Sequence, residues 1–227
     1  MIGSTIIFTL LVWVDAFRVL GKVKAFWFIV IAAAVSFTSE YLGVNSGSTF
    51  GGAYHYNTAM GPMVGGVPIV VIMMWTAVVY ICYRIAVTIA GKKVKFKNAY
   101  ERMGEYLAIA LVAGLAAVSW DLIWDPLAVK ISSWTWHIPG AYFGIPTRNF
   151  IGWVMVVFLS CFIFEVIFRL KRNETKDVSI PFLGYFYLMI STFVLALKLS
   201  APHFAVVSFF LMSPYLLVLL LEEMKRE

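Results

Sequence analysis

The sequence predicts an all-α, polytopic membrane protein with about seven transmembrane helices. Hydrophobic residues make up 62% of the 227 residues and charged residues only 13%, and the mean hydropathy is +0.88. This composition is typical of membrane-embedded chains and excludes an ordinary soluble domain. Seven spans of roughly 20 residues with short connections use most of such a length, so little is left for a separate soluble domain. We therefore expect one integral membrane domain over residues 1–227.

Seven apolar runs, separated by polar or Gly-rich segments, define the predicted spans. The first run lacks a small-residue cleavage pattern, so we interpret it as a retained span and not as a signal peptide. Asp15 and Arg18 in this run are three residues apart, and Glu165 and Arg169 near the end of the fifth are four apart, so each pair is expected to form an ion pair. The predicted spans cover approximately residues 5–20, 25–42, 67–90, 105–125, 150–170, 180–199 and 201–221.

The distribution of Lys and Arg predicts the orientation of these spans. Basic residues follow spans one, three and five and occur in the tail, whereas the other connections contain few of them. Under the positive-inside rule, the N-terminus is outside, the C-terminus is cytoplasmic and the protein is multi-pass in the cell membrane. The net charge of +6 is then explained by topology and lipid headgroup contacts, and it does not indicate nucleic acid binding. Two long loops, approximately 43–66 and 127–149, are predicted to lie at the outer face.

The fourth span ends in a repeat of Trp and Asp, with Trp120-Asp121 followed by Trp124-Asp125. Residues four apart share a helix face, so the two Asp side chains and the two Trp side chains are each expected to be neighbours. Ionisable residues within a membrane span are costly and usually functional. A proton donor beside aromatic faces suits chemistry in which an apolar substrate briefly becomes a cation. The alternative is a helix end where both carboxyls contact water and Pro126 closes the span.

The first outer loop contains the sequence Tyr54-His55-Tyr56, in which a histidine lies between two tyrosines. An extended chain directs both tyrosines to one side and the histidine to the other. The simplest interpretation of this loop alone is an interfacial aromatic belt, because Tyr is common at that depth.

The second outer loop is also rich in aromatic and polar residues. It could form another belt, or it could close over a pocket opposite Glu40, Asp121 and Asp125. In that case Arg148 could pair with Asp121 or Asp125 and determine which carboxyl stays charged. The residues of interest in this loop are Trp134, Trp136, His137, Arg148 and Asn149.

Taken together, these motifs resemble the carotenoid hydratase family, which includes bisanhydrobacterioruberin hydratases and carotenoid 1,2-hydratases. The resemblance implies an integral membrane enzyme that adds water to a terminal isoprenoid C=C of an acyclic carotenoid, without a redox cofactor. It extends from about Glu40 to Trp153. The motifs that carry it are Glu40, Phe50-Gly51, Tyr54-His55-Tyr56, Gly66-Val67-Pro68, Asp121, Asp125-Pro126, Trp134-Thr135-Trp136, Tyr142-Phe143-Gly144-Ile145-Pro146 and Asn149-Phe150-Ile151-Gly152-Trp153.

The chemistry of alkene hydration assigns expected roles to these residues. Asp121 or Asp125 is expected to be the acid and Glu40 the partner of the water, although these roles could be exchanged. Aromatic faces are expected to stabilise the tertiary cation. No cofactor and no metal site are predicted, and the expected partners are a long polyene and membrane lipid. The expected substrate-binding residues are Tyr54, His55, Tyr56, Trp120, Trp124, Trp134, Trp136, Arg148 and Asn149.

Three alternatives remain at this point. A carotenoid cyclase would use the same cation and quench it intramolecularly. A metal-dependent membrane hydrolase would combine His55, His137 and His203 with Glu40 and Asp121, but no two histidines have helical spacing. A non-enzymatic seven-helix lipid- or carotenoid-binding protein or transporter lacks support, because neither inverted repeats nor interrupted spans are visible. Both cysteines lie in apolar runs, which indicates neither a disulfide nor a Cys-based metal site.

Overall fold

A computed structural model describes residues 2–90, 98–168 and 177–224. This part of the chain contains seven α-helices, and each is long and apolar enough to cross a membrane. The predicted all-α, seven-span, multi-pass architecture is therefore confirmed. The helices are α1 (Ile2–Leu20), α2 (Lys22–Ser46), α3 (Ile69–Ala90), α4 (Ala99–Lys130), α5 (Thr147–Phe168), α6 (Ser179–Lys198) and α7 (Pro202–Met224).

The fourth helix is longer than its predicted span at both ends. It begins at Ala99, where the Asn98 side chain accepts a hydrogen bond from the Glu101 N–H at 2.9 Å. At the other end it passes through Pro126 and stops at Lys130. The alternative in which Pro126 closes the span therefore does not hold.

A side chain from the loop between α4 and α5 explains why Pro126 is tolerated inside α4. Proline has no N–H to donate to the carbonyl four residues earlier, which here belongs to Leu122. The Tyr142 hydroxyl donates to that carbonyl at 3.1 Å. A buried membrane helix accepts a proline when another group satisfies the freed carbonyl in this way.

The loops between α2 and α3 and between α4 and α5 form short antiparallel strand pairs. Strand β1 (Tyr54–Tyr56) pairs with β4 (Trp134–Trp136), with Tyr54 opposite Trp136 and Tyr56 opposite Trp134. Strands β2 (Met63–Val64) and β3 (Val67–Pro68) form a second pair. Gly65 and Gly66 connect β2 to β3, and both have positive φ values, 56° and 83°, which suits a tight turn. The β1–β4 pair joins the two loops into one layer.

Helix α3 is the central helix, because its residues Trp75–Val87 are all buried. Helices α4 and α5 approach closely at Gly114, where an added Cβ would lie 2.9 Å from the Val154 carbonyl oxygen. Small residues at such crossings allow transmembrane helices to pack through backbone contact.

A buried ion-pair cluster joins α1 to α3 near the C-terminal end of α1. Asp15 accepts from the Tyr80 hydroxyl at 2.8 Å and from Arg84 Nη1 at 3.2 Å. Arg18 contacts Asp15 at 3.2 Å, which confirms that predicted pair. The other predicted pair involves Arg169, which lies outside the described residues.

The sidedness of the membrane remains a prediction. Tags inserted near Asn57 and Ser133 are expected to be accessible from outside, and tags at Lys95 and the C-terminus from the cytoplasm, because basic segments stay inside. Cysteine or protease accessibility in intact cells measures this. If the tags near Asn57 and Lys95 report the same side, the orientation and the span count are both contradicted.

Candidate active site

A cavity of about 560 Å³ lies between the helices, next to the layer formed by the α2–α3 and α4–α5 loops. Its volume is in the range typical of small-molecule sites. Most of its lining is apolar or aromatic, and a few polar side chains converge at one end. These polar and indole side chains come from four helices: Glu40 from α2, Trp75 from α3, Trp120, Trp124 and Asp125 from α4, and Asn149 and Trp153 from α5.

Glu40 lies near the end of α2 and is only 4% exposed. Its Oε2 accepts hydrogen bonds from the hydroxyls of Tyr54 and Tyr56, the latter at 2.6 Å. Its Oε1 accepts from Trp75 Nε1 at 2.7 Å. Three donors around one carboxyl group satisfy the acceptor-only, ionised form of a buried glutamate.

The alternation of β1 brings both tyrosines to Glu40. Tyr54 and Tyr56 are buried and His55 between them is exposed, which confirms the predicted alternation. Burial, together with the negative charge of Glu40, raises the pKa of both tyrosines well above their ordinary value. The two hydroxyls therefore remain protonated donors at neutral and moderately alkaline pH.

Asp121 and Asp125 share one amide group. Asn149 Nδ2 donates to Asp121 Oδ2 at 3.0 Å and to Asp125 Oδ2 at 2.7 Å. Trp134 Nε1 donates to Asp125 Oδ1 at 2.7 Å. Asp121 is 0% and Asp125 2% exposed, so the alternative of a water-exposed helix end does not hold. The two carboxyls share a helix face, as the sequence predicts.

The surroundings of the two aspartates differ. Asp125 lines the cavity. Asp121 is not among the described lining residues, and its Oδ1 has no hydrogen-bond partner within the described ranges. Two adjacent anions repel strongly in a low-dielectric site, so such a pair suits a single shared proton. The arrangement can thus present a carboxylic acid to the cavity through Asp125.

Stacked indoles form much of the cavity wall. The rings of Trp120 and Trp124 stack at 5.4 Å, and those of Trp75 and Trp153 stack at 3.9 Å. Trp153 also meets Trp120 edge to face at 5.8 Å. Indole faces attract cations, so this wall is suited to a positively charged group.

The second loop supplies the roof of the cavity. Trp134 and Trp136 line it, and their rings lie 5.8 Å from Tyr56 and 4.7 Å from Tyr54, respectively. The two loops therefore close over the pocket instead of forming separate belts. His55 and His137 lie close to each other, with ring centroids 5.5 Å apart.

Arg148 does not form the predicted pair with Asp121 or Asp125. Its side chain is exposed, and its Cβ lies only 2.6 Å from where a Cβ on Gly51 would be. Successive residues point about 100° apart around a helix. Since the neighbouring Asn149 faces the aspartates, Arg148 points away from them.

The histidines do not combine with the carboxyls as a metal hydrolase would require. His203 stacks on Phe143 with ring centroids 5.6 Å apart, away from the His55–His137 pair. Within residues 2–90, 98–168 and 177–224, no three His, Cys, Asp or Glu side chains are grouped so as to hold a metal ion.

Sequence reasoning missed Trp75 and Trp153 as site residues. Trp153 belongs to the Asn149–Trp153 motif, which could have drawn attention to it. Trp75 lies in the apolar run of α3 without any local signal, and only its hydrogen bond to Glu40 reveals it.

The chain matches one family of known proteins over nearly its whole length. A family model described as "Carotenoid biosynthesis protein" matches residues 2–218. The chain belongs to this family. The match confirms the resemblance seen in the sequence, and it extends beyond the segment 40–153 to all seven helices. The matched residues include those that line the cavity, among them Tyr54, Asp125 and Asn149.

One curated relative has a more specific name. A bisanhydrobacterioruberin hydratase from Haloarcula japonica is 26% identical over 150 residues, which are 65% of this chain and 47% of that protein. The chain thus spans about half the length of the curated relative that it matches. No solved structure matches the chain.

Proposed function

We propose that this carotenoid biosynthesis family member hydrates the terminal isoprenoid C=C of an acyclic carotenoid. The observation that carries this proposal is one cavity that both Glu40 and Asp125 line, between walls of stacked indoles. Family membership supports a carotenoid substrate, and the name of the Haloarcula japonica relative supports hydration.

The reaction begins with proton transfer from Asp125. The proton adds to the less substituted carbon of the terminal alkene, the π electrons form the new C–H bond, and a tertiary cation remains. Asp121 shares the Asn149 amide with Asp125 and helps to keep a proton on the pair. A positioned acid of this kind typically contributes about 10²–10⁴-fold to a rate.

The cation is stabilised by the indole walls. The faces of Trp120 and Trp124 each contribute about 0.5–2 kcal/mol when they lie next to a desolvated positive charge. The roof of Tyr54, Tyr56, Trp134 and Trp136 excludes bulk water. Exclusion of water lengthens the lifetime of the cation and restricts its capture to a water molecule held by the site.

Glu40 orients and deprotonates that water. The water oxygen forms the C–O bond, one water proton passes to Glu40, and it returns to the aspartate pair before the next turnover. The net change is one alkene plus one water to one tertiary alcohol. No electron transfer occurs, so we expect no redox cofactor. His55 and Arg148 have no part in these steps.

Expression in a lycopene-producing bacterium tests the proposal. Mass spectrometry of the pigments should show the gain of one water at each modified end. An unchanged mass with altered chromatographic retention would instead identify a cyclase. Hydration should persist in EDTA, and loss of activity in EDTA with recovery in zinc would support the metal-dependent hydrolase.

Replacement of Tyr56 with Phe tests the hydrogen bonding of Glu40. The change removes one donor to a buried carboxylate, and hydrogen bonds to charged groups contribute about 1.5–3 kcal/mol. We expect the hydration rate to fall by about ten- to a hundredfold at matched protein levels. Thr135→Val is the control, since Thr135 lies on the exposed side of β4. Equal rates for Tyr56→Phe and Thr135→Val would contradict the proposed role of Glu40.

A further inference from the structure

The cavity has two unlike ends. At the end that contains Glu40, Tyr54, Tyr56, Asp125 and Asn149, every one of these side chains is buried. We call this end the head. At the far end the lining residues belong to α1 and α6, and several of them are exposed.

Three apolar residues of α6 mark where the cavity reaches the surface. Tyr187, Ile190 and Val194 line the cavity, yet they are 42%, 40% and 43% exposed. Ser4 of α1 also lines the cavity and is exposed. A residue that both lines a cavity and contacts the exterior lies at its opening. The opening is therefore between the N-terminal half of α1 and the C-terminal half of α6.

A pair of stacked rings marks one end of this opening, and a lysine marks the other. At the inner limit, Phe8 of α1 stacks on Tyr187 of α6 with ring centroids 4.9 Å apart. At the outer limit, the cavity is lined by Lys198, the last residue of α6, whose charge suits the headgroup region. The twelve residues from Tyr187 to Lys198 span about 16 Å along a helix axis. The opening is thus a slot within the apolar depth of the bilayer.

We propose that the slot between α1 and α6 holds the chain of a long linear polyene, whose end group occupies the head. This inference rests on the proposed function for the identity of the occupant. A cavity of about 560 Å³ suits a drug-sized ligand, so a long polyene does not fit inside it. A slot that opens sideways lets the rest of the chain stay in hydrocarbon and avoids its exposure to water.

The arrangement implies that one end of the substrate is modified at a time. A polyene with two reactive ends must leave the slot and rebind in the reverse direction for the second reaction. A partly modified product, carrying one hydroxyl, is therefore released between the two steps.

Tryptophan substitutions at two matched valines test the slot. Val194 is four residues before the end of α6 and lines the cavity, whereas Val206 is four residues after the start of α7 and is not among the described lining residues. Both are exposed, at 43% and 55%, so Trp fits at either position without disturbing the core. The readout is the amount of carotenoid that copurifies with the protein from lycopene-producing cells.

Val194→Trp should lower the copurified carotenoid per protein by about tenfold, because overpacking typically costs about five- to 150-fold in affinity. Val206→Trp should leave it at the wild-type level. Ile190→Trp narrows the slot one turn away and should repeat the loss. Equal retention in the Val194, Ile190 and Val206 variants would overturn the proposal.

The same experiment separates this inference from the proposed function. If the wild-type protein retains lycopene of unchanged mass and Val194→Trp loses it, the slot stands and the hydratase proposal fails. If hydrated product forms equally well in the Val194 and Val206 variants with equal pigment retention, the hydratase proposal stands and the slot fails.

Discussion

Replacing Asp125 with Asn is expected to lower the rate of carotenoid hydration by about 10²–10⁴-fold, the usual contribution of a general acid. The amide keeps the size of the side chain and can still accept the hydrogen bond from Trp134, although its NH2 group cannot accept the second one from Asn149. It has no proton acidic enough to transfer to an alkene. The variant should therefore insert and fold like the wild type, and the loss should appear in product formed per protein in membranes.

Asp121→Asn and Glu40→Gln are expected to lose activity of the same order. In the proposed mechanism the charge of Asp121, which accepts from the same Asn149 amide as Asp125, favours a proton on Asp125, and Glu40 accepts the proton of the water. All rates must be compared at matched membrane expression, because a buried carboxyl can also be structural. Near wild-type rates for both aspartate variants would show that the Trp-Asp repeat only packs α4 against its neighbours.

Replacing Asp15 with Asn is expected to lower the free energy of unfolding by about 3–5 kcal/mol, as removal of one partner of a buried ion pair typically does. Asp15 is 2% exposed and faces Arg84, which is 1% exposed. The cluster is separate from the cavity, so the activity of each folded molecule should be unchanged. Unfolding of the purified protein in detergent measures the stability, and hydration per folded protein measures the activity.

Asp177→Asn is the matched control for this prediction. Asp177 contacts Arg18 at an exposed position, where ion pairs contribute little. The Ser179 N–H also donates a hydrogen bond to Asp177, which holds the pKa of this carboxyl below its ordinary value. The Asp177 carboxylate is therefore stabilised by a second partner besides Arg18. A loss of stability as large as that of Asp15→Asn would show that burial of the Asp15–Arg84 pair is not the reason for the effect.

The helical architecture follows from local properties of the sequence. Every backbone polar group within a bilayer must be satisfied, so an apolar run of sufficient length forms a helix. Six predicted spans accordingly match the described helices to within a few residues. The fourth helix continues past Pro126, although a proline in the sequence usually indicates a helix end. The Tyr142 hydroxyl, which satisfies the freed Leu122 carbonyl, comes from another part of the chain.

Within the candidate site, local backbone geometry is enough to predict which residues share a face. The i, i+4 spacing placed Asp121 with Asp125, and strand alternation placed Tyr54 with Tyr56, because both relations depend only on regular backbone geometry.

Which of these local faces meet depends on the packing of distant parts of the chain. The pairing of β1 with β4, about 80 residues apart in the chain, brings the tyrosines to Glu40 and Trp134 to Asp125. The rotation of α5 selects Asn149 in place of Arg148 as the partner of the aspartates, and the packing of α3 brings Trp75 to Glu40. Such contacts depend on helix rotation and loop register, and neither leaves a periodic signal in the sequence.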